Sequence, residues 1–131
     1  MEIRKKEFTY KGLGLEELKK LDVREFAKYL TSRQRRTILR QFQKIETFIN
    51  RAKEKQKKDK RIRTHQRDLI VVPSMIGMKI SIYNGNTFIP IEITGEMLGH
   101  KFGEFAPTRN KVKHSSAGVG ATKGTRAKSK K

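Results

Sequence analysis

Arg33, Arg36, Arg40 and Lys44, continued by Arg51, are spaced so that a helix turning about 100° per residue carries them on one side. Cations in such a row do one kind of chemistry well. Each neutralises a phosphate and releases counterions, and arginine's planar fork also holds a phosphate through two bonds at once. The ordinary reading of a basic stripe is a solvated helix face. It is weakened here because no acid lies between Glu25 and Glu46, so most of the i,i+4 partners that neutralise an exposed helix are missing. The stripe therefore reads as a phosphate-facing surface.

Other chemistry finds little support. His65, His100 and His114 lie far apart, without acids or cysteines at metal-ligand spacing, and no catalytic residue, metal or cofactor is expected. The chain has no cysteine, which excludes a disulfide framework, a thiolate zinc site and a cysteine nucleophile. Gly118-Val119-Gly120 followed by Lys123-Gly124-Thr125 has glycines and a lysine, but not in the order of a phosphate loop, and no strand precedes it.

The charge balance supports a polyanion partner. Thirty-two Lys and Arg against thirteen Asp and Glu give +19 on 131 residues, a self-repulsion that a chain working alone would not carry. The first sixty residues mix nineteen bases with nine acids, whereas from Phe105 onward there are eight bases and no acid. Only 34% of residues are hydrophobic and Trp is absent, so the core must be small. No apolar run approaches the roughly 20 residues that span a bilayer, and Arg4-Lys5-Lys6 is not followed by a signal-peptide core, so a cytoplasmic protein is expected.

The elements that must position these residues fall into two groups. Leu15, Leu18 and Leu21 predict a short helix, and Asp22 with Glu25 is placed like a capping box opening a second, with Val23, Phe26, Ala27 and Leu30 on one face. Thr31, with Gln34 three residues on, caps a longer predicted helix to about Lys55, with Ile38, Phe42, Ile45, Ile49 and Ala52 on its apolar side. Residues 53–63 read as a frayed helix end or linker. Beyond them, Leu69–Val72 is an apolar strand, and Lys79–Tyr83 and Asn86–Ile93 flank Asn84-Gly85, a dipeptide suited to a type I′ turn. That turn pairs Ile82 with Thr87, Ile80 with Ile89 and Met78 with Ile91, with pairing irregular or ending at Pro90. A helix over about 95–102, capped by Thr94, places Leu98 and Phe102, with Phe105, over the sheet. Gly95 and Gly99 allow that helix to pack closely on its sheet, the favoured reading, or RNA backbone to approach it closely, and Gly103 ends it in the left-handed conformation. The expected fold is α+β: a small antiparallel sheet of about three strands covered by a short helix, with a helical N-terminal extension and a flexible basic C-terminal tail.

The stretch NGNTFIPIEITGEMLGHKFGEFAPTR over residues 84–109 resembles the signature of the universal small-subunit ribosomal protein S nineteen family. Arg63-Thr64-His65, Arg67-Asp68, Pro73 and Met75-Ile76-Gly77 resemble the lead-in of its archaeal and eukaryotic branch, whose eukaryotic members are called S fifteen. Phe8-Thr9-Tyr10-Lys11-Gly12, Arg33-Gln34-Arg35-Arg36, Val112-Lys113-His114 and Gly118–Thr122 resemble that branch's N-terminal extension and tail. The resemblance implies a non-enzymatic constituent of the small ribosomal subunit, in the ribosome of the cytoplasm. It implies binding to small-subunit ribosomal RNA in the head near the decoding region, beside an S thirteen family protein, with the tail reaching toward tRNA, and no membrane partner. The RNA-binding candidates are Arg33, Arg35, Arg36, Arg40, Lys44, Arg63, Arg67, Lys79, His100, Lys101, Thr108, Arg109, Lys111, Lys113 and His114. Three segments are expected: a basic helical extension over 1–63, a compact RNA-binding core over 64–109 and a basic tail over 110–131. The core alone is expected to be ordered in the free protein.

Two rival readings remain. The predicted helix over 22–30, the Thr31-Ser32 break and the arginine-rich helix after it could be a helix-turn-helix of a DNA-binding protein. The helix over 31–55 could instead lie on an anionic membrane, although its apolar face lacks Trp anchors.

Overall fold

The computed structural model describes residues 7–113, 115–118 and 120–124. It opens with a two-stranded antiparallel hairpin, β1 (Thr9–Tyr10) and β2 (Leu13–Gly14). Lys11 and Gly12 form its tip with φ of 51° and 85°, the two positive values that a type I′ turn demands. Four helices follow: α1 (Leu15–Lys20), α2 (Val23–Ala27), α3 (Ser32–Arg40) and α4 (Phe42–Lys57). As the capping-box spacing predicts, the Glu25 carboxylate accepts the Asp22 backbone N–H, at 3.3 Å. Thr31 stands at the start of α3, but its side chain makes no capping hydrogen bond.

The single long helix expected from Thr31 to Lys55 is two helices. Gln41, at φ −104° and ψ 16°, breaks it, and Thr37 Oγ1 donates back to the Arg33 carbonyl at 3.0 Å one turn earlier, a bond that bends helices. The Gln41 side chain is tied to the far part of the chain, its Nε2 donating to Asp68 Oδ2 at 2.9 Å. Nothing in the 3.6-residue period signals that long-range tie.

Residues 53–63 also depart from the expected frayed linker. Helix α4 continues to Lys57 and ends in a Schellman motif: Lys60 N–H donates to Lys55 O at 2.9 Å, Asp59 N–H donates to Gln56 O at 3.2 Å, and Asp59 sits at φ 48°. Asp tolerates that left-handed conformation better than most residues. The reversed chain then enters a strand, β3 (Ile62–Thr64).

Three strands form the main sheet, in the order β3-β4-β5, with β4 (Lys79–Tyr83) central and β5 (Phe88–Glu92) antiparallel to it. The α+β class and the three-strand count agree with expectation, but β3 replaces the predicted strand at 69–72 and runs parallel to β4. The hairpin register is shifted by two residues: Ile82 pairs with Ile89 and Ile80 with Ile91. Gly85 (φ 101°) and Asn86 form the tip, rather than Asn84 and Gly85. The cause is the Asn84 side chain, whose Oδ1 accepts from the N–H groups of both Asn86 (2.9 Å) and Thr87 (2.7 Å), making it a closing residue. A shift of two preserves which face each side chain occupies, so Ile80, Ile82 and Ile93 remain buried, with Ile89 and Ile91 half-buried. Pro90 pairs opposite Ser81, where an edge strand accommodates a residue without an N–H, and the ladder continues to Lys79 and Glu92.

Leu69, Ile70, Val71 and Val72 are fully buried. Their backbone pairs with the glycine-rich segment: Val71 N–H donates to His100 O (2.9 Å), Gly99 N–H to Val71 O (3.1 Å) and Phe102 N–H to Leu69 O (2.9 Å). Those bonds replace the helix expected over 95–102, which is instead an extended stretch between two 3₁₀ turns, Gly95–Met97 and Phe102–Phe105. The glycines also face other neighbours than expected. A Cβ at Gly99, whose φ is 80°, would lie 2.9 Å from Leu30 and 3.3 Å from the Tyr10 hydroxyl, so the segment packs on the N-terminal elements. Gly103 does not take the left-handed conformation; it approaches Arg67, whose carbonyl accepts its N–H at 2.9 Å.

Helices and sheet share one core. Leu18, Phe26, Ile38 and Ile45 from the helices and Val71, Met75, Ile80, Ile82 and Phe102 from the rest are all fully buried in a continuous cluster. Phe48 and Phe102 meet edge-on with ring centres 5.5 Å apart. A shared core should unfold as one unit, contrary to independent ordering of residues 64–109. Ile45→Ala is expected to cost about 2–5 kcal/mol in denaturant unfolding, with helix and sheet signals lost in one transition. Separate transitions, with sheet amides keeping their hydrogen-exchange protection, would instead show that residues 64–109 stand alone.

Candidate nucleic-acid interface

The break at Gln41 changes what the cationic stripe can do. Arg33, Arg36 and Arg40 on α3 and Lys44 on α4 are exposed, and with Thr37 and Gln41 they line one groove at the bend. Among the described residues, the only pair of a basic group and a carboxylate within 4.0 Å is His100–Glu104, so none of these four cations is neutralised by a neighbour. Converging guanidinium and ammonium groups in a concave, unneutralised site suit a phosphate backbone.

Arg35 points elsewhere. Its Nε and Nη2 donate to the carbonyls of Ala27 (3.2 Å) and Lys28 (2.8 Å), closing the end of α2 onto α3. Arg67 is still more committed: Nη1 donates to Tyr83 O (2.7 Å), and Nη2 to Gly103 O (2.9 Å) and Ala106 O (2.8 Å). The geometry gives both residues structural work.

Arg63 and Lys79 lie on the outer face of the sheet, exposed, in a second basic groove that also includes Lys60 and Arg61. His100 and Lys101 are exposed within the glycine-rich segment. His100 Nδ1 lies 2.7 Å from Glu104 Oε2, and its ring stands edge-on to Phe105 at 6.0 Å. Thr108, Arg109, Lys111 and Lys113 follow as an exposed segment without regular secondary structure, and His114 lies outside the described residues. The candidates thus fall into an α3–α4 groove, an outer sheet face that brings Arg63 and Lys79 together, and a basic exit.

Sequence reasoning missed an aromatic cluster on the outer sheet face. His65 lies against Tyr83 (4.6 Å between ring centres) and Phe88 (5.1 Å), and those two rings are 5.1 Å apart. The alternation Arg61-Ile62-Arg63-Thr64-His65, basic or aromatic outward and buried inward, was the signal that could have revealed it. No described helix is long and apolar enough to cross a membrane.

Residues 32–114, from the start of α3 through the whole sheet, match the family described as Ribosomal protein S19. The chain is also 47% identical over 124 residues to the small ribosomal subunit protein uS19 of Methanocella arvoryzae, an alignment covering 94% of this chain and 86% of that protein. The chain belongs to the ribosomal protein S19 family. Its relative is archaeal, in agreement with the branch indicated by the lead-in and extension motifs. Membership makes this chain a ribosomal protein, and the relative is by name a protein of the small ribosomal subunit.

The assignment of Arg67 to structural work has a measurable consequence. Arg67→Lys keeps the charge but cannot reach three carbonyls with one ammonium, and should cost roughly 2 kcal/mol in denaturant unfolding. Unchanged stability with weakened RNA binding would make Arg67 a contact residue after all.

Proposed function

We propose that this chain binds small-subunit ribosomal RNA through the α3–α4 groove and the basic exit, fixing RNA structure in the head of the subunit. The observation that carries this reading is the groove of Arg33, Arg36, Arg40 and Lys44, exposed and free of carboxylate partners. In a free protein such a site is repulsive, and phosphate relieves it. Division of labour follows: the shared core sets position, the helices clamp RNA, and the bases beyond 110 supply charge for contacts outside the core. Placement near the decoding region, beside an S thirteen family protein and with the tail toward tRNA, is supported by the family resemblance.

Charge reversal of Arg36 and Arg40 to Glu should weaken binding to a structured ribosomal RNA fragment and flatten its salt dependence. Each lost phosphate contact removes about 0.7–0.9 from the log-log slope. Weaker binding with an unchanged slope would assign these residues to a protein neighbour, and a preference for duplex DNA at matched salt would favour the helix-turn-helix reading.

Deleting residues 115–131, five bases without an acid, should leave incorporation into small subunits largely intact while altering tRNA binding or translation. Particle incorporation and tRNA affinity of the truncated protein decide it. Failure to assemble would make the segment an anchor, whereas normal assembly with normal tRNA binding would remove any role toward tRNA.

A further inference from the structure

The outer face of the β3-β4-β5 sheet is built unlike the α3–α4 groove. Cross-strand register puts Arg63, Ser81 and Pro90 in one row, with Lys79 opposite Glu92 and Tyr83 opposite Phe88 on the same face. The other face carries Ile62, Ile80 and Ile82 into the core, so register fixes the basic and aromatic set outward. At one end, His65 is exposed and packed against the half-buried Tyr83 and Phe88. The Arg63 guanidinium lies 5.4 Å from the Phe88 ring centre. Two anchors hold the cluster: the Tyr83 hydroxyl donates to Gly85 O at 2.9 Å, and the Tyr83 carbonyl accepts from Arg67 at 2.7 Å.

Rings held rigidly on a sheet beside basic side chains meet the two needs of an unpaired nucleotide, a π surface for the base and cations for the phosphates on either side. A double helix would use only the cations, because its bases are already stacked. A protein partner would be expected to meet exposed aliphatic side chains. The large hydrophobic residues most exposed among those described are Tyr29, Leu39 and Val112, none of them on this face.

We propose that this sheet face is a stacking platform for an unpaired RNA nucleotide, with His65 and Phe88 taking the base and Arg63 and Lys79 holding the adjoining phosphates. The proposal rests on the RNA-binding reading above and deepens it, naming a second contact of a different kind from the α3–α4 groove.

The test compares binding of the full chain, by fluorescence anisotropy at matched salt, to a single-stranded pyrimidine oligonucleotide, to the same strand with abasic sites, and to an RNA hairpin whose strands are joined by a non-nucleotide linker, so that every nucleotide is paired. Wild type should bind the base-bearing strand several-fold more tightly than the abasic one. Replacing both rings, His65→Ala with Phe88→Leu, should abolish that difference, a loss of roughly tenfold for the single strand, with hairpin binding unchanged. Phe88→Trp should retain or strengthen base-dependent binding, which a merely structural role for Phe88 would not predict. Equal wild-type affinity for base-bearing and abasic strands would overturn the proposal without needing any variant. So would a base preference that survives loss of both rings. Hairpin binding without base dependence sinks this inference alone, whereas absence of binding to all three RNAs sinks the proposed function with it.

Discussion

One side chain holds the sheet half of this molecule in register with everything around it. Arg67 leaves the end of β3, donates to the carbonyl that ends β4, and donates again to Gly103 and Ala106 beyond the glycine-rich segment, residues 16, 36 and 39 positions away. Its own carbonyl takes the Gly103 N–H, so side chain and backbone grip the same turn from two sides. The Tyr83 carbonyl ends a strand and those of Gly103 and Ala106 lie in and just after a 3₁₀ turn, and leaving all three unsatisfied in a partly buried place would be costly. The anchor of the aromatic cluster, the Phe102–Phe105 turn and the start of the basic exit are all positioned from this one guanidinium. Close approach explains why residue 103 is glycine: a Cβ there would stand 3.1 Å from the Arg67 carbonyl oxygen.

The helices solve a different problem. A chain with a formal charge of +19 and one third hydrophobic residues has little apolar surface to set against its self-repulsion. The structure gathers that surface into one cluster. Ile38, Ile45 and Phe48 from α3 and α4 join the core that Leu69–Val72 and Ile80 also enter, and the opposite side of the same helices carries the free cations. Packing and charge presentation are thus two faces of one amphipathic pattern. The bend at Gln41 adds concavity that a straight helix would lack.

Local chemistry explains what could be read in the residues and what could not. Ile80 and Ile82, alternating with polar neighbours, showed a strand with one buried face, and Asp22 with Glu25 marked a helix start. The α3–α4 cations were legible because 3.6-residue spacing and the absence of acids are both properties of a short stretch. Where a tertiary partner decided the outcome, the local signal misled. Asn84-Gly85 suits a turn, yet the Asn84 side chain closed the loop one residue later. Helical spacing ran through Gln41, but Asp68, 27 residues on, holds its amide at the break. Residues 98–101 had a helical pattern until Leu69 and Val71 took up backbone bonds that a helix would have used internally. Arg35 and Arg67 looked like any other arginine of a basic chain, because a free guanidinium and one committed to carbonyls have the same sequence.

That last ambiguity has a physical resolution in the choice between arginine and lysine. Among the described residues, every Lys or Arg side chain that engages its own fold is an arginine: Arg35 and Arg67 through hydrogen bonds, Arg24 over Phe42 at 4.3 Å and Arg63 over Phe88 at 5.4 Å. A planar fork with five donors can bind two or three carbonyls or lie on a ring, whereas an ammonium is a strongly hydrated point charge that gains little from either. The lysines therefore supply potential without geometry, which suits attraction of a polyanion at a distance. The arginines divide between holding the fold and presenting a shaped contact. Arg33, Arg36 and Arg40, which share the α3–α4 groove without a carboxylate partner, are left free by the fold to present such a contact, as is Arg51 further along α4.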